Sequence, residues 1–205
     1  MSEAPLTLPT VAGWFGKLPS LGDFASRRLP FAFVQRWDRW LQRCMVCARD
    51  QLGERWNDTY LVAPILRFWI APNVFGDDGW TGLMMPSVDR VGRQFPLTVA
   101  LPKASLAHAL AAHEGFAALD RTMRQVLAVV FSVSKFEAAL ATLAEAPAPT
   151  FDDLAQALAA RLQQPDATAA MTLWWCGDAS EAAEFRRFSG LPPAADFAAL
   201  IGSVT

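Results

Sequence analysis

The stretch from Tyr60 to Pro102 reads YLVAPILRFWIAPNVFGDDGWTGLMMPSVDRVGRQFPLTVALP, and its pattern of residue types decides the fold. Short apolar and aromatic runs alternate here with clusters of Gly, Pro, Asn and Asp, a pattern typical of strands joined by turns. It predicts strands near Ile65–Ile70, Trp80–Met85 and Phe95–Leu101. Connections this short favour antiparallel neighbours, because a parallel pair needs a crossover of about a dozen residues or more.

Upstream of this stretch, the sequence predicts another strand and a long helix. The strand is expected at Val11–Leu18, where an aromatic run is punctuated by glycines. After Pro30, apolar residues recur at helical spacing from Val34 to Ala48, with arginines on the other faces. We expect this amphipathic helix to end at Gly53.

Downstream, the stretch 104–162 is rich in alanine and poor in turn residues, which predicts several helices. Apolar residues between Phe116 and Val130 form one helical stripe. Ser134 and Glu137 fit a capping box that opens a second helix, and a third is expected to start near Thr150.

A last strand is predicted at Thr172–Trp175, followed after Gly177 by a short helix, a turn at 190–193 and a terminal helical segment. The order of elements predicts an α/β (α+β) fold, with helices packed on a central, largely antiparallel or mixed sheet. We expect one compact domain over 1–205, sheet-rich over about 11–102 and helix-rich over about 104–205.

The composition excludes several classes of protein. Apolar residues make up 53% of the chain and charged residues 19%, so it must fold around a core. The formal net charge of -2 supplies no basic field for nucleic acid. The apolar runs fall short of the roughly 20 residues that span a bilayer, and the start does not resemble a secretory signal. We expect a cytoplasmic protein that neither inserts into a membrane nor binds nucleic acid.

No metal site is predicted. Cys44 and Cys47 have the CxxC spacing of zinc and redox sites, but no second pair of ligands completes the set. They lie late in the predicted helix and near its apolar stripe, so we expect core cysteines. His108 and His113 point to different faces of a helix, which does not favour a shared metal ion.

No catalytic or cofactor motif is present either. The chain lacks a G-x-S-x-G elbow, and its glycine-rich segments lack the spacing of phosphate-binding loops. We therefore predict no catalytic residue, no cofactor and no enzymatic activity. A hydrolase remains the alternative, if Ser20, Asp23, Asp89 and Arg93 converge around a cavity.

Charge is concentrated inside apolar surroundings in two segments, residues 16–28 and 86–96. Asp23, Asp89, Arg90 and Arg93 could form ion pairs between them. The more ordinary interpretation is an internal brace that fixes two irregular segments, and the alternative is a surface that binds a partner protein.

The tryptophans divide into two groups. Trp37, Trp40, Trp69, Trp174 and Trp175 lie in amphipathic or strand contexts, so we expect them in the core, whereas the rings beside glycine turns are candidates for an interface. The candidate partner-binding residues are Trp14, Lys17, Asp23, Arg28, Trp80, Asp89, Arg90 and Arg93.

The chain resembles the TagF family of the bacterial type VI secretion system. The resemblance is carried, in order, by GWFGKLPSLGDFASRRLP at 13–30, WDRWL at 37–41, YLVAP at 60–64, PSVDRVGRQFPLTVALP at 86–102, and Trp174-Trp175 with GLP at 190–192. It implies a cytoplasmic accessory protein that post-translationally represses assembly or activation of the secretion apparatus. The implied partner is the forkhead-associated scaffold protein of that system.

Three classes of function therefore stay open at this point. The leading hypothesis is a regulator that binds a protein through the two charged segments. The alternatives are a hydrolase acting on a phosphorylated component of the pathway and a structural subunit of the apparatus. The oligomeric state is not indicated by the sequence.

Overall fold

The strands expected between Tyr60 and Pro102 form the centre of an antiparallel sheet. In the computed structural model, which describes residues 11–128, 131–144, 153–162, 170–177 and 184–202, the strands join in the order β2-β1-β5-β4-β3-β6-β7. Every neighbouring pair is antiparallel. The strands are β1 (Gly13–Gly16), β2 (Ala25–Arg27), β3 (Leu66–Ile70), β4 (Trp80–Met85), β5 (Leu97–Pro102), β6 (Met171–Cys176) and β7 (Arg186–Ser189).

Helices cover both faces of this sheet. They are α1 (Phe31–Leu52), α2 (Trp56–Leu61), α3 (Leu106–Ala111), α4 (His113–Gln125), α5 (Val133–Ala144), α6 (Asp153–Leu162) and α7 (Phe197–Ile201). The α+β fold class, with helices packed on a largely antiparallel sheet, is thus confirmed. Gly53 ends α1 with a φ of 55°, as expected for a glycine in this position.

Alternate residues of each strand enter two different cores. In β3, Leu66, Phe68 and Ile70 pack on the face covered by α1, α2 and α7, whereas Trp69 packs on the face covered by α3 to α6. In an antiparallel sheet with one face exposed to solvent, apolar and polar residues alternate along each strand. Because both faces are buried here, the strands read as continuous apolar runs, and the runs were recognisable in the sequence for that reason.

An aromatic cluster holds α1 against the sheet. Trp37 stacks on Trp174, with ring centroids 6.0 Å apart, and its ring centroid lies 5.1 Å from that of Phe68. Its Nε1 donates a hydrogen bond of 2.8 Å to Oγ1 of the fully buried Thr98 in β5. This bond satisfies two polar groups that burial removes from water. The five tryptophans expected in the core are all buried there.

Several local predictions differ from the structure. The strand expected at Val11–Leu18 is shorter, and part of the segment after Gly177 forms β7 rather than a helix. The edge strands β2 and β7 and the helix α2 were not predicted, because their apolar patterns span too few residues to show a period. The helix expected to hold both His108 and His113 is divided into α3 and α4. Val130, Thr150 and residues 178–183 lie outside the described residues.

The predicted capping box at Ser134 is wrong. Helix α5 begins at Val133, and the hydroxyl of Ser132 accepts a hydrogen bond of 3.3 Å from the backbone N–H of Lys135. Glu137 is instead turned toward distant parts of the chain, described below. None of the helices in the described part of the chain is long and apolar enough to cross a membrane.

The contact between β4 and β5 generates a stability prediction. A Cβ on Gly82 would lie 2.0 Å from the carbonyl oxygen of Val99, so Gly82→Ala forces the strands apart. We expect the free energy of unfolding to fall by about 1–3 kcal/mol, which is the usual cost of overpacking. Urea denaturation measures this change. The matched control is Gly115→Ala in α4, where a Cβ meets open space and a gain of about 0.5–1 kcal/mol is expected. A loss of equal size at both positions would contradict the packing argument.

Candidate functional site

The two charged segments meet at one end of the sheet. Residues 16–28 begin where β1 ends, and residues 86–96 join β4 to β5, which is the neighbour of β1. Gly16 allows the segments to approach closely, because a Cβ there would lie 2.1 Å from the carbonyl oxygen of Pro96. Gly16 also has a φ of 140°, a backbone conformation that residues other than glycine rarely adopt.

Asp89 lies at the centre of this junction, with a side chain that is 0% exposed. Its Oδ2 accepts a bond of 2.7 Å from Nε of Arg93 and lies 3.1 Å from Nζ of Lys17. Its Oδ1 accepts backbone hydrogen bonds of 3.1 Å from Val91 and 2.9 Å from Arg93. Both carboxylate oxygens are therefore engaged by cations and by the backbone of their own loop.

These partners explain the ionisation of Asp89. Burial by itself raises the pKa of a carboxyl group, because it disfavours the charged form. Hydrogen bonds from the Arg93 backbone, Lys17, the Arg93 side chain and the Val91 backbone outweigh that effect and hold the pKa of Asp89 well below its usual range. Asp89 is thus a buried anion at neutral pH, with its charge balanced inside the junction.

Hydrogen bonds to backbone oxygens tie the two segments together. The backbone N–H of Arg90 donates to the carbonyl of Leu21 at 2.8 Å, and Nη2 of Arg93 donates to the carbonyl of Gly22 at 2.6 Å. The hydroxyl of Ser87 donates to the carbonyl of Lys17 at 2.8 Å. The interpretation as an internal brace therefore describes the Asp89 junction, which we call the Asp89 brace.

Two residues that the sequence analysis did not select complete the brace. The hydroxyl of Tyr60, in α2, exchanges hydrogen bonds of 3.0 Å with the backbone carbonyl and N–H of Ser87. Burial raises the pKa of Tyr60, so it stays neutral and donates. No motif signals such a contact, because Tyr60 is brought to Ser87 only when β3 pairs with β4.

The ion pairs predicted between the segments are partly wrong. Asp23 is exposed, and its Oδ1 accepts a hydrogen bond of 2.8 Å from the backbone of Phe24, its own neighbour. Within the described residues, neither Asp23 nor the guanidinium of Arg90 forms an ion pair. The ion pair that does cross between the segments joins Lys17, next to β1, to Asp89.

Trp14 and Trp80 are buried, which corrects the expectation that they are exposed interface rings. Trp14 is 0% exposed and Trp80 is 5% exposed. The ring of Trp80 lies 4.4 Å from that of Phe33, and the ring of Trp14 meets Phe136 edge-on at 5.7 Å. Glycines beside a tryptophan here mark close backbone packing rather than a surface turn, so the sequence signal was misread.

Arg28 forms a second junction, on the other side of the 16–28 segment. It pairs with Glu137 of α5, and its Nε donates to the carbonyl of Ala12 at 3.1 Å. Glu137 also accepts a hydrogen bond from Nε1 of Trp14. Arg28 adopts a φ of 60°, which turns its side chain back along β1. Glu137 is more than a hundred positions away in sequence, so no local pattern could identify it as the partner.

The expectation of core cysteines holds for Cys44 but not for Cys47, which is only partly buried. Cys44 is buried, and burial raises the pKa of its thiol to about 12, with Arg43 opposing the shift. Nδ1 of His108 lies 2.6 Å from Oγ of Ser105, the residue that caps α3, and desolvation lowers the pKa of His108. In the described part of the chain, no group of three His, Cys, Asp or Glu residues could hold a metal ion.

Apolar side chains are exposed around the Asp89 brace. Val91 is 69% exposed in the 86–96 loop, and Phe24 is 44% exposed in the 16–28 segment. We call this set the loop-end surface, and it consists of Phe24, Arg90 and Val91, which lie on the two segments that the brace joins. Phe24 is only half exposed, because its other face packs on Phe95 at 4.7 Å.

The pKa of Asp89 generates a prediction about acid stability. Its folded pKa is depressed, so its contribution is complete above its unfolded pKa of about 3.9 and is lost as pH falls toward the folded value. We expect Asp89→Asn to lower the free energy of unfolding at pH 7, and the difference from the original chain to shrink at about pH 3. Urea denaturation at both pH values measures this. Asp23→Asn is the control and should leave the free energy unchanged, and a difference for Asp89→Asn that is independent of pH would contradict the assignment.

The two neighbouring arginines are expected to differ in their effect on stability. Hydrogen bonds to charged groups contribute roughly 1.5–3 kcal/mol to stability. Because the Arg93 side chain is 59% exposed, we expect Arg93→Ala to lower the free energy of unfolding by an amount near the lower end of that range. Arg90→Ala should change the free energy of unfolding by less than about 0.5 kcal/mol, because its guanidinium has no ion pair in the described residues. Thermal and urea denaturation of the two variants compares them. Equal losses would contradict the different roles assigned to them.

Comparisons with known proteins agree with this architecture. The family model described as the TagF N-terminal domain, type VI secretion system-associated, matches residues 13–143. The chain is similar to a crystal structure of PA0076 from Pseudomonas aeruginosa PAO1, with 37% sequence identity, a TM-score of 0.77 and 95% of each chain covered. No curated protein matches the chain. The resemblance drawn from the sequence is confirmed, and the chain belongs to the TagF family of type VI secretion system-associated proteins.

Proposed function

We propose that this type VI secretion accessory protein is a cytoplasmic repressor that acts post-translationally by binding another protein. Its partner is the forkhead-associated scaffold protein of the system, and capture of that scaffold prevents assembly or activation of the apparatus. Membership of the TagF family supports the place in type VI secretion. The observation that carries binding as the mode of action is the loop-end surface, where apolar side chains and an arginine are exposed together.

The composition of the loop-end surface suits a protein interface. Exposed apolar groups gathered at one site mark interaction surfaces more often than single ones do. Arg90 brings a guanidinium without an ion pair in the described residues, and arginine is enriched at such interfaces. Val91 and Arg90 are adjacent at the tip of the 86–96 loop, so one partner can contact both.

The Asp89 brace supports binding by fixing the loop that carries these residues. Gly92 donates to the carbonyl of Asp89 at 2.9 Å, and the Asp89 carboxylate accepts from Val91 and Arg93. A loop held in this way loses little conformational entropy when a partner docks. The brace and the interface are therefore parts of the same loop: its charged side chains are buried, and its apolar side chains are exposed to the partner.

The same contacts favour binding over catalysis as the role of this junction. Each oxygen of Asp89 already takes two donors, and a carboxylate with a depressed pKa is a weak general base near neutral pH. Ser20 is exposed at the rim, while Asp23 bonds to its neighbour's backbone. We propose that the chain has no enzymatic activity of its own.

The test is binding of the purified forkhead-associated scaffold protein, measured by pull-down and titration calorimetry. We expect Arg90→Glu and Val91→Asp each to weaken binding at least tenfold, because they place a like charge or an unpaired charge in the interface. Both positions are exposed, so the melting temperatures should stay close to that of the original chain. Arg121→Glu, at an exposed arginine of α4, is the control and has the same change in charge as Arg90→Glu.

Two results would overturn parts of this proposal. If the original chain binds the scaffold and neither loop variant weakens it more than Arg121→Glu does, the loop-end surface is not the interface. If the original chain does not bind the scaffold at all, the partner is wrong. Stable self-association in solution would instead favour a structural subunit, and size measurement on the same samples distinguishes that case.

A further inference from the structure

The outward side of α1 carries a row of arginines that the loop-end surface does not use. Arg36, Arg39 and Arg43 follow one another at spacings of three and four, so they lie along one side of the helix. All are exposed, whereas Trp37, Trp40 and the other inward residues are buried. At a rise of about 1.5 Å per residue, the row is roughly 10 Å long.

This row is unfavourable for the isolated chain. Like charges at spacings of three and four destabilise a helix, and the usual remedy is an acidic residue at the same spacing. In the described residues, the guanidinium groups of Arg39 and Arg43 form no hydrogen bond or ion pair. Arg36 donates only to the backbone carbonyl of Val74, at 3.1 Å. The nearest acid, Asp38, is engaged by Gln42 at 2.7 Å.

An apolar side chain continues the row. Val46 lies three positions beyond Arg43 on the same side of α1, and it is 62% exposed. This side of the helix therefore offers two uncompensated guanidinium groups followed by an apolar contact. We call it the α1 arginine face, and it consists of Arg39, Arg43 and Val46. None of these three residues belongs to the loop-end surface.

We propose that the α1 arginine face binds an acidic helix of a protein, whose carboxylates match the spacing of the arginines and whose apolar side chain covers Val46. Forked arginine–carboxylate pairs suit this geometry. Nucleic acid fits less well, because the net charge of the chain is -2 and the basic row is short. An anionic bilayer attracts clusters of about four to eight basic residues, which this face does not provide. The inference does not depend on which protein the loop-end surface binds.

The test uses a fluorescein-labelled helical peptide with glutamates at spacings of three and four and one leucine beyond them, titrated by fluorescence anisotropy. Arg39→Glu/Arg43→Glu should lower the affinity at least tenfold, and a peptide with lysines in place of the glutamates should not bind. The matched control is Arg121→Glu/Arg187→Glu, which makes the same change in net charge at exposed positions elsewhere. It should change the affinity less than twofold. Circular dichroism and melting temperature verify that the variants fold.

Parallel titrations with a DNA duplex and with phosphatidylserine vesicles separate the other anionic partners. Tighter binding of DNA or vesicles than of the glutamate peptide would overturn the proposal. So would a failure of the original chain to bind the peptide, or an equal loss in the control variant, since that would reflect net charge alone. These outcomes are independent of binding to the scaffold protein, so the two proposals fail separately.

Discussion

Burial of both faces of one antiparallel sheet is the constraint on which the rest of this structure depends. Neither face of this sheet is exposed to solvent, so burying a polar group of a central strand is costly unless it finds a partner inside the protein. Thr98 accepts a hydrogen bond from the indole N–H of Trp37. Thr172 accepts one from the indole N–H of Trp174 and donates one to the carbonyl of Gly190. The rings of Trp37 and Trp174 thus act as both packing groups and hydrogen-bond donors, and Trp37 couples α1 to the sheet.

The same constraint acts on the charged group that is buried at the end of β4. Charge can be buried there only when it is paired, because an isolated carboxylate loses its hydration without compensation. Asp89 meets this condition with Lys17, Arg93 and two backbone donors, all within the same junction. A charged side chain thereby helps to fix a loop whose own backbone pairing is limited to a bridge between Val88 and Gln94 and a few turn hydrogen bonds. The apolar residue Val91 is left on the outside of that loop.

A buried brace and an exposed surface were alternatives in the sequence, and the structure has buried charged side chains and exposed side chains on adjacent residues of one loop. Lys17 and Asp89 are turned inward, whereas Arg90 and Val91 are turned outward from the same loop. Arg93 combines both features, since it bonds to Asp89 and keeps most of its side chain in water. This alternation follows from the tight turn of the 86–96 loop, in which successive side chains cannot all point to one side.

The sequence by itself determined the fold class, the central strands, the long helix and the family, because each depends on patterns within a continuous segment. It also located the two segments that meet, although not which of their residues touch. Only the tertiary structure decided that Lys17 rather than Asp23 crosses to Asp89, and that Glu137 joins Trp14 instead of capping its own helix. The physical reason is that these contacts join residues far apart in sequence, whose neighbours are set by strand pairing and helix docking rather than by local spacing.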